Sequence, residues 1–173
     1  MTQPYHKEIN KLNEAATPAS SVEGKLVDRV KGKSGLESLK EVLAVLRAQS
    51  WLFQSLHWQV KGSNFYQLHL LYERIYNSLS SEIDGLAEKI VGYYGSSAIE
   101  RTDQMDRATK WIKEWRGDNI ETALKSEKDL QSLLKYTYDS MSNRKELSLG
   151  LDDWLMATAS AHETNIYLLN QSM

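Results

Sequence analysis

Residues 64–95 read NFYQLHLLYERIYNSLSSEIDGLAEKIVGYYG, and this stretch decides the fold. Its apolar residues Leu68, Tyr72, Ile75, Leu79, Ile83, Leu86 and Ile90 are spaced 4-3-4-4-3-4, the repeat of a long amphipathic helix packed in a bundle. Asn64 stands as an N-cap with Gln67 at the capping-box position, and Gly95 supplies the stop.

Upstream, Ser34 with Glu37 forms a second capping-box pattern. Leu36, Leu39, Val42, Leu43, Leu46, Leu52, Phe53 and Leu56 then predict a helix from Leu36 to about Lys61, ended by Gly62. Downstream, a polar stretch from Ser96 to Asp103 precedes a short helix over Met105–Trp115. Asp118 with Glu121 opens a long helix to about Asn143, and a loop over Arg144–Gly150 leads to a last helix, roughly Leu151–Asn170. Leu151, Trp154, Leu155, Thr158, Ala161, His162 and Leu169 are read as its inward face. Four long helices, with a short one between the second and third, predict an all-α four-helix bundle with a long crossover. The bundle domain is assigned to residues 34–173. Residues 1–33, polar and mixed in charge, are assigned to a mobile arm.

The 173 residues suit one domain with a sizeable core. Both prolines, Pro4 and Pro18, precede the helices, so nothing interrupts them. The absence of cysteine excludes disulfides, thiolate metal sites and cysteine nucleophiles. Any metal must be held by His, Asp, Glu or backbone oxygen, which suits iron, manganese, zinc or magnesium. The N-terminus has no apolar signal region and no run approaches a membrane span, so a cytoplasmic location with no membrane partner is expected. A formal net charge of −2 argues against coating nucleic acid by bulk charge.

In the second long helix His69, Glu73, Asp84 and Glu88 share one stripe, within an arc of about 100°. His69 and Asp84 are roughly 22 Å apart along the axis, so one metal cannot bridge them within a chain. The spacing is palindromic, however. His69 with Glu88, and Glu73 with Asp84, share a midpoint between Ser78 and Leu79. Two copies of the helix crossing antiparallel there would bring His69 and Glu73 of one chain to Asp84 and Glu88 of the other, closing two identical sites. Asn77, Ser80 and Ala87 on that face would let the partner approach, and His57, late in the first helix, offers a second imidazole. Such mixed nitrogen and oxygen ligands suit Fe(II) with open positions for an oxidant. Acidic residues on a helix also commonly form a plain solvated face; the paired histidines and the symmetric carboxylates weigh against that here.

The run Leu56-His57-Trp58-Gln59-Val60-Lys61-Gly62-Ser63-Asn64-Phe65, followed by Leu68-His69, resembles the LHW-x-VKG-x-NF-x-x-LH signature of the Dps miniferritins. Asp84-Gly85-Leu86-Ala87-Glu88-Lys89-Ile90 resembles the family's D-x-x-A-E-R-I stretch. The resemblance implies a ferritin-like bundle assembled from two-fold dimers into a dodecameric hollow shell. It also implies ferroxidase sites between subunits that oxidise Fe(II) with hydrogen peroxide or oxygen and store Fe(III) mineral, protecting against oxidative damage. The family's catalytic and metal-ligand positions fall on His57, His69, Glu73, Asp84 and Glu88. Glu73 departs from the usual Asp and lengthens the carboxylate's reach by one methylene. Larger ferritins use Glu-x-x-His pairs, and none occurs here; the nearest is Gln54-Ser55-Leu56-His57.

Trp58 resembles the family's tryptophan beside the site, and packing is the preferred reading of it. His162 is read as structural, His6 as solvated, and Asp152 with Asp153 as candidates for an acidic pore or a helix cap. The arm carries Lys7, Lys11, Lys25, Arg29, Lys31 and Lys33 against Glu8, Glu14, Glu23 and Asp28. That small surplus implies at most weak, salt-dependent DNA binding. Two other readings fit the same residues: a DNA-compacting shell with secondary metal binding, and a structural helical oligomer with a relic metal site.

Overall fold

A computed structural model of the chain describes residues 30–173. Most of the assigned arm, with His6 and its first four basic residues, therefore lies outside the described residues. The order of elements is α1 (Gly35–Gln59), α2 (Phe65–Tyr94), a single 3-10 turn (Ser96–Ala98), α3 (Arg101–Glu114), α4 (Ile120–Asn143) and α5 (Leu149–Gln171). This is the expected four-helix bundle, α1, α2, α4 and α5, with the short α3 in the crossover. No strand occurs among the described residues, and no described helix is long and apolar enough to cross a membrane.

The stripes predicted from spacing form the core. Tyr72, Ile75, Leu79, Leu86 and Ile90 of α2 are buried against Leu39, Val42, Leu43, Leu46, Phe53 and Leu56 of α1. Leu130, Leu133 and Leu134 of α4 and Leu151, Leu155 and Leu169 of α5 complete it. Ala161, expected to face inward, is exposed instead, because His162 takes the core position beside it.

Several helix ends differ from expectation. Ser34 does accept from the Glu37 backbone amide, at 3.4 Å, but the Asn64 side chain makes no capping bond. Asn119 rather than Asp118 caps α4, accepting from the Thr122 amide at 3.0 Å. Ser148 caps α5, so neither Asp152 nor Asp153 does. Helix α3 begins four residues earlier than expected, because Glu100 accepts from the Asp103 amide at 3.0 Å and starts it. Gly95 ends α2 at φ 86°, a conformation that costs glycine nothing.

The crossover is fastened to the bundle by charge. Arg107 of α3 donates to Asp103 at 2.9 Å, to Glu37 at 2.7 Å and to Glu41 at 3.2 Å. The Trp111 indole donates to the other oxygen of Glu41 at 2.7 Å. Burial pushes the Glu37 and Asp103 carboxyls upward, but Arg107 and Lys40 outweigh it and hold both below the usual range. Replacing Arg107 by Gln removes its ion pairs with Glu37, Asp103 and the Glu41 side chain, which is only 6% exposed. Breaking a buried pair in this way costs roughly 3 kcal/mol. Thermal unfolding at fixed protein concentration should show a drop of several degrees, whereas Lys135→Ala, on an exposed pair with Asp139, should show almost none.

Candidate metal centre

The α1–α2 connection builds the first half of the site. Helix α1 closes at Val60, whose amide bonds Leu56 O at 2.9 Å. The chain reverses through Gly62 at φ 95° and enters α2 three residues later. The last turn of α1 thus lies against the first turns of α2, and His57 meets His69. Their rings stack with centroids 3.7 Å apart and planes 22° from parallel. Phe65 covers the outer face of the pair, 5.1 Å from His69, and Tyr76 meets His57 edge-on at 5.4 Å.

The two imidazoles are held reciprocally. His57 Nδ1 lies 2.9 Å from the His69 carbonyl oxygen, and His69 Nδ1 lies 3.0 Å from the His57 carbonyl oxygen. A carbonyl only accepts, so each Nδ1 must carry the proton and donate it. In the neutral ring this leaves each Nε2 with its lone pair bare, the tautomer that ligates a metal through Nε2. His57 can offer its carbonyl because it sits in the last turn of α1, where carbonyls lack helical partners.

Glu73, one turn beyond His69, is half-buried, while Asp84 and Glu88 are exposed farther along the same face. None of the three makes an ion pair or hydrogen bond among the described residues. Within one chain no group of three or more His, Asp or Glu converges to hold a metal, again among the described residues. The structure therefore brings His57 and His69 together, with Glu73 one turn along α2 from His69. It leaves Asp84 and Glu88 far down α2, as the helical rise requires.

Trp58 is not in the chain's core; it is 69% exposed. With Phe65, Tyr66 and Leu70, also exposed, it gives the histidine end an uncovered apolar surface of the kind that marks an interaction face. Tyr76 and Phe65 were not anticipated from the sequence. Tyr76 lay within reach of pattern reading, since it follows Glu73 by three residues on the His69 stripe.

His162 is structural, and more strongly engaged than expected. It is fully buried, with Nδ1 2.5 Å from Glu127 and Nε2 2.8 Å from Glu82. Both ring nitrogens are thereby occupied, and it takes no part in the His57–His69 centre.

No known protein-family model matches the chain. The DNA protection during starvation protein of Brevibacillus brevis is 26% identical over 147 residues, which cover 79% of this chain and 96% of that protein. DNA protection during starvation protein 2 of Bacillus anthracis is 40% identical over 74 residues, 39% of this chain and 51% of that protein. Three of the curated relatives are matched over only 51 to 59% of their own length. Among solved structures, Dps from Listeria innocua soaked with cobalt superposes with a TM-score of 0.71 at 17% identity, covering 83% of this chain and 94% of that one. In sequence the chain is thus similar to DNA protection during starvation proteins, and its fold is that of the Dps structures.

Proposed function

We propose that this protein is a Dps-type ferroxidase and iron store working as a homo-oligomer, a dodecamer built from two-fold dimers. Fe(II) is its substrate and cargo. His57, His69 and Glu73 of one subunit and Asp84 and Glu88 of its two-fold partner hold the metal. The observation that carries this reading is the reciprocal His57–His69 pair, which leaves two Nε2 lone pairs bare, with an unpaired carboxylate one turn along α2. The unpaired Asp84 and Glu88 at palindromic positions supply what one chain lacks, as an isologous contact requires. The exposed apolar residues around the histidines give the dimer something to bury.

The chemistry follows from the donor set. Carboxylates stabilise the higher charge of Fe(III), so binding favours the oxidised product. Two Fe(II) each release one electron. One hydrogen peroxide accepts both, its O–O bond breaks, and the oxygens leave as hydroxide or water. Removing Fe(II) and peroxide together is protective. Glu73, longer than the aspartate expected from the resemblance, moves its carboxylate outward from α2 and alters the spacing between neighbouring metals.

The test is anaerobic Fe(II) titration of the purified oligomer, then a hydrogen peroxide pulse followed by ferric absorbance. Saturable binding and oxidation much faster than in buffer are expected. Oxidation at the buffer rate would overturn the reading.

A further inference from the structure

A second feature, unconnected with the ligand stripe, lies on the outer side of α1. There the 3-10 turn and the start of α3 border a cleft of about 330 Å³ lined by Arg47, Trp51, Ile99, Arg101, Gln104 and Met105. That volume is in the range of small-molecule sites. Arg47 and Trp51 stand one turn apart on α1. Arg101, Gln104 and Met105 come from the first turns of α3. Trp51 and His57 are six residues apart, about 120° around the helix, so the cleft and the histidine pair face different ways.

Two residues of this lining carry buried polar atoms without partners. Gln104 is 3% exposed, and neither its amide nitrogen nor its amide oxygen has a hydrogen-bond partner. Arg47 Nε is likewise buried without a partner. Neither Arg47 nor Arg101 forms an ion pair among the described residues. On the same α1–α3 seam Arg107 contacts three carboxylates, so the seam has acids enough, yet none lines the cleft. Buried polar groups are nearly always bonded in folded proteins. Gln104 and Arg47, which carry these buried atoms, line one cleft together with Arg101 and with apolar Trp51, Ile99 and Met105.

The geometry points to a binding site for a small, flat aromatic carboxylate. Its carboxylate would take the guanidinium groups of Arg47 and Arg101, which match that shape in a bidentate fork. Its ring would lie along Trp51 and Met105. A hydroxyl or carbonyl beside the carboxylate would satisfy the Gln104 amide once that side chain turns towards the cleft. A neutral aromatic would leave both guanidinium groups unpaired, and a simple inorganic anion would leave the apolar walls wet.

Isothermal calorimetry on the full, metal-free oligomer tests this with sodium salicylate as probe and benzyl alcohol as the neutral comparator. Salicylate should bind saturably and benzyl alcohol should not. Arg47→Gln and Arg101→Gln should each weaken salicylate at least tenfold. Gln104→Leu should weaken it as well while keeping helix content and oligomer size, since it removes an unpartnered buried amide rather than a bonded one. The site is refuted by any of three results: no saturable heat with the unmodified protein, as when a second chain covers the cleft; equal binding of benzyl alcohol; or undiminished binding by a folded Arg47→Gln oligomer.

Discussion

Oligomers of His69→Ala and of Glu88→Gln should each lose iron oxidation by roughly 100-fold or more, since even outer-shell partners of a metal are worth 10–100-fold. Mixed oligomers made by refolding the two variants together should regain about a quarter of the unmodified rate. The arithmetic follows from a two-fold site. Random pairing makes half of the dimers mixed. Within a mixed dimer, one site joins the intact histidines of the Glu88→Gln chain to the intact carboxylates of the His69→Ala chain. The other site carries both lesions. No site confined to one chain can recover activity when inactive chains are mixed. Recovery therefore separates a shared centre from an intrachain one, and its absence in well-formed mixed oligomers would rule out the shared centre.

Asp84→Asn should behave as Glu88→Gln does, and neither should disturb the fold, because both side chains are exposed and unpaired in the chain. Glu73→Asp should retain activity. It shortens the carboxylate by one methylene, so any change should appear in the number of Fe(II) bound per dimer. The anaerobic titration reads that directly.

Much of this was legible in the sequence because helical period and ligand spacing are local. The α2 stripe from Leu68 to Ile90 fixed a helix, its length and its buried face. The distance between His69 and Asp84 along the helix excludes a single metal bridging the two within one chain. What stayed hidden depended on contacts between elements. The reciprocal bonds of His57 and His69 arise only when the turn at Gly62 brings two helix ends together. The early start of α3 depends on a Glu100 side chain folding back to an amide, although glutamate is an uncommon cap. Glu127 did leave a trace, since it falls in line with Leu124, Leu130 and Leu134 on the apolar stripe of α4. A carboxylate there implies a buried partner, and the partner, His162, sits on another helix.

That buried group sets the last expectation, which concerns stability and its dependence on pH. His162 of α5 bridges Glu127 of α4 and Glu82 of α2. Asn165 donates to the second oxygen of Glu127 at 3.3 Å and accepts from Arg74 at 3.4 Å. Burial opposes a charged imidazole, but the two carboxylates outweigh it and push the His162 pKa up to about 10. In the unfolded chain the ring titrates near its ordinary value of about 6.5. Between these values the folded state holds a proton that the unfolded state has released, so stability falls as pH rises. The contribution is complete below about pH 6.5 and is lost progressively towards pH 10, by up to roughly a tenfold change in the folding constant per pH unit. His162→Leu should abolish that slope. It should also cost roughly 3–5 kcal/mol at neutral pH, because Glu127, fully buried, then lacks its countercharge. Adding Glu127→Leu and Glu82→Gln to His162→Leu should recover most of the loss, since a buried ion group replaced whole by apolar and neutral residues is often tolerated. Denaturant unfolding of the three proteins from pH 6 to 9, at one protein concentration, decides the matter. A single variant as stable as the unmodified chain, with the same pH slope, would mean that the imidazole is not charged in the folded protein.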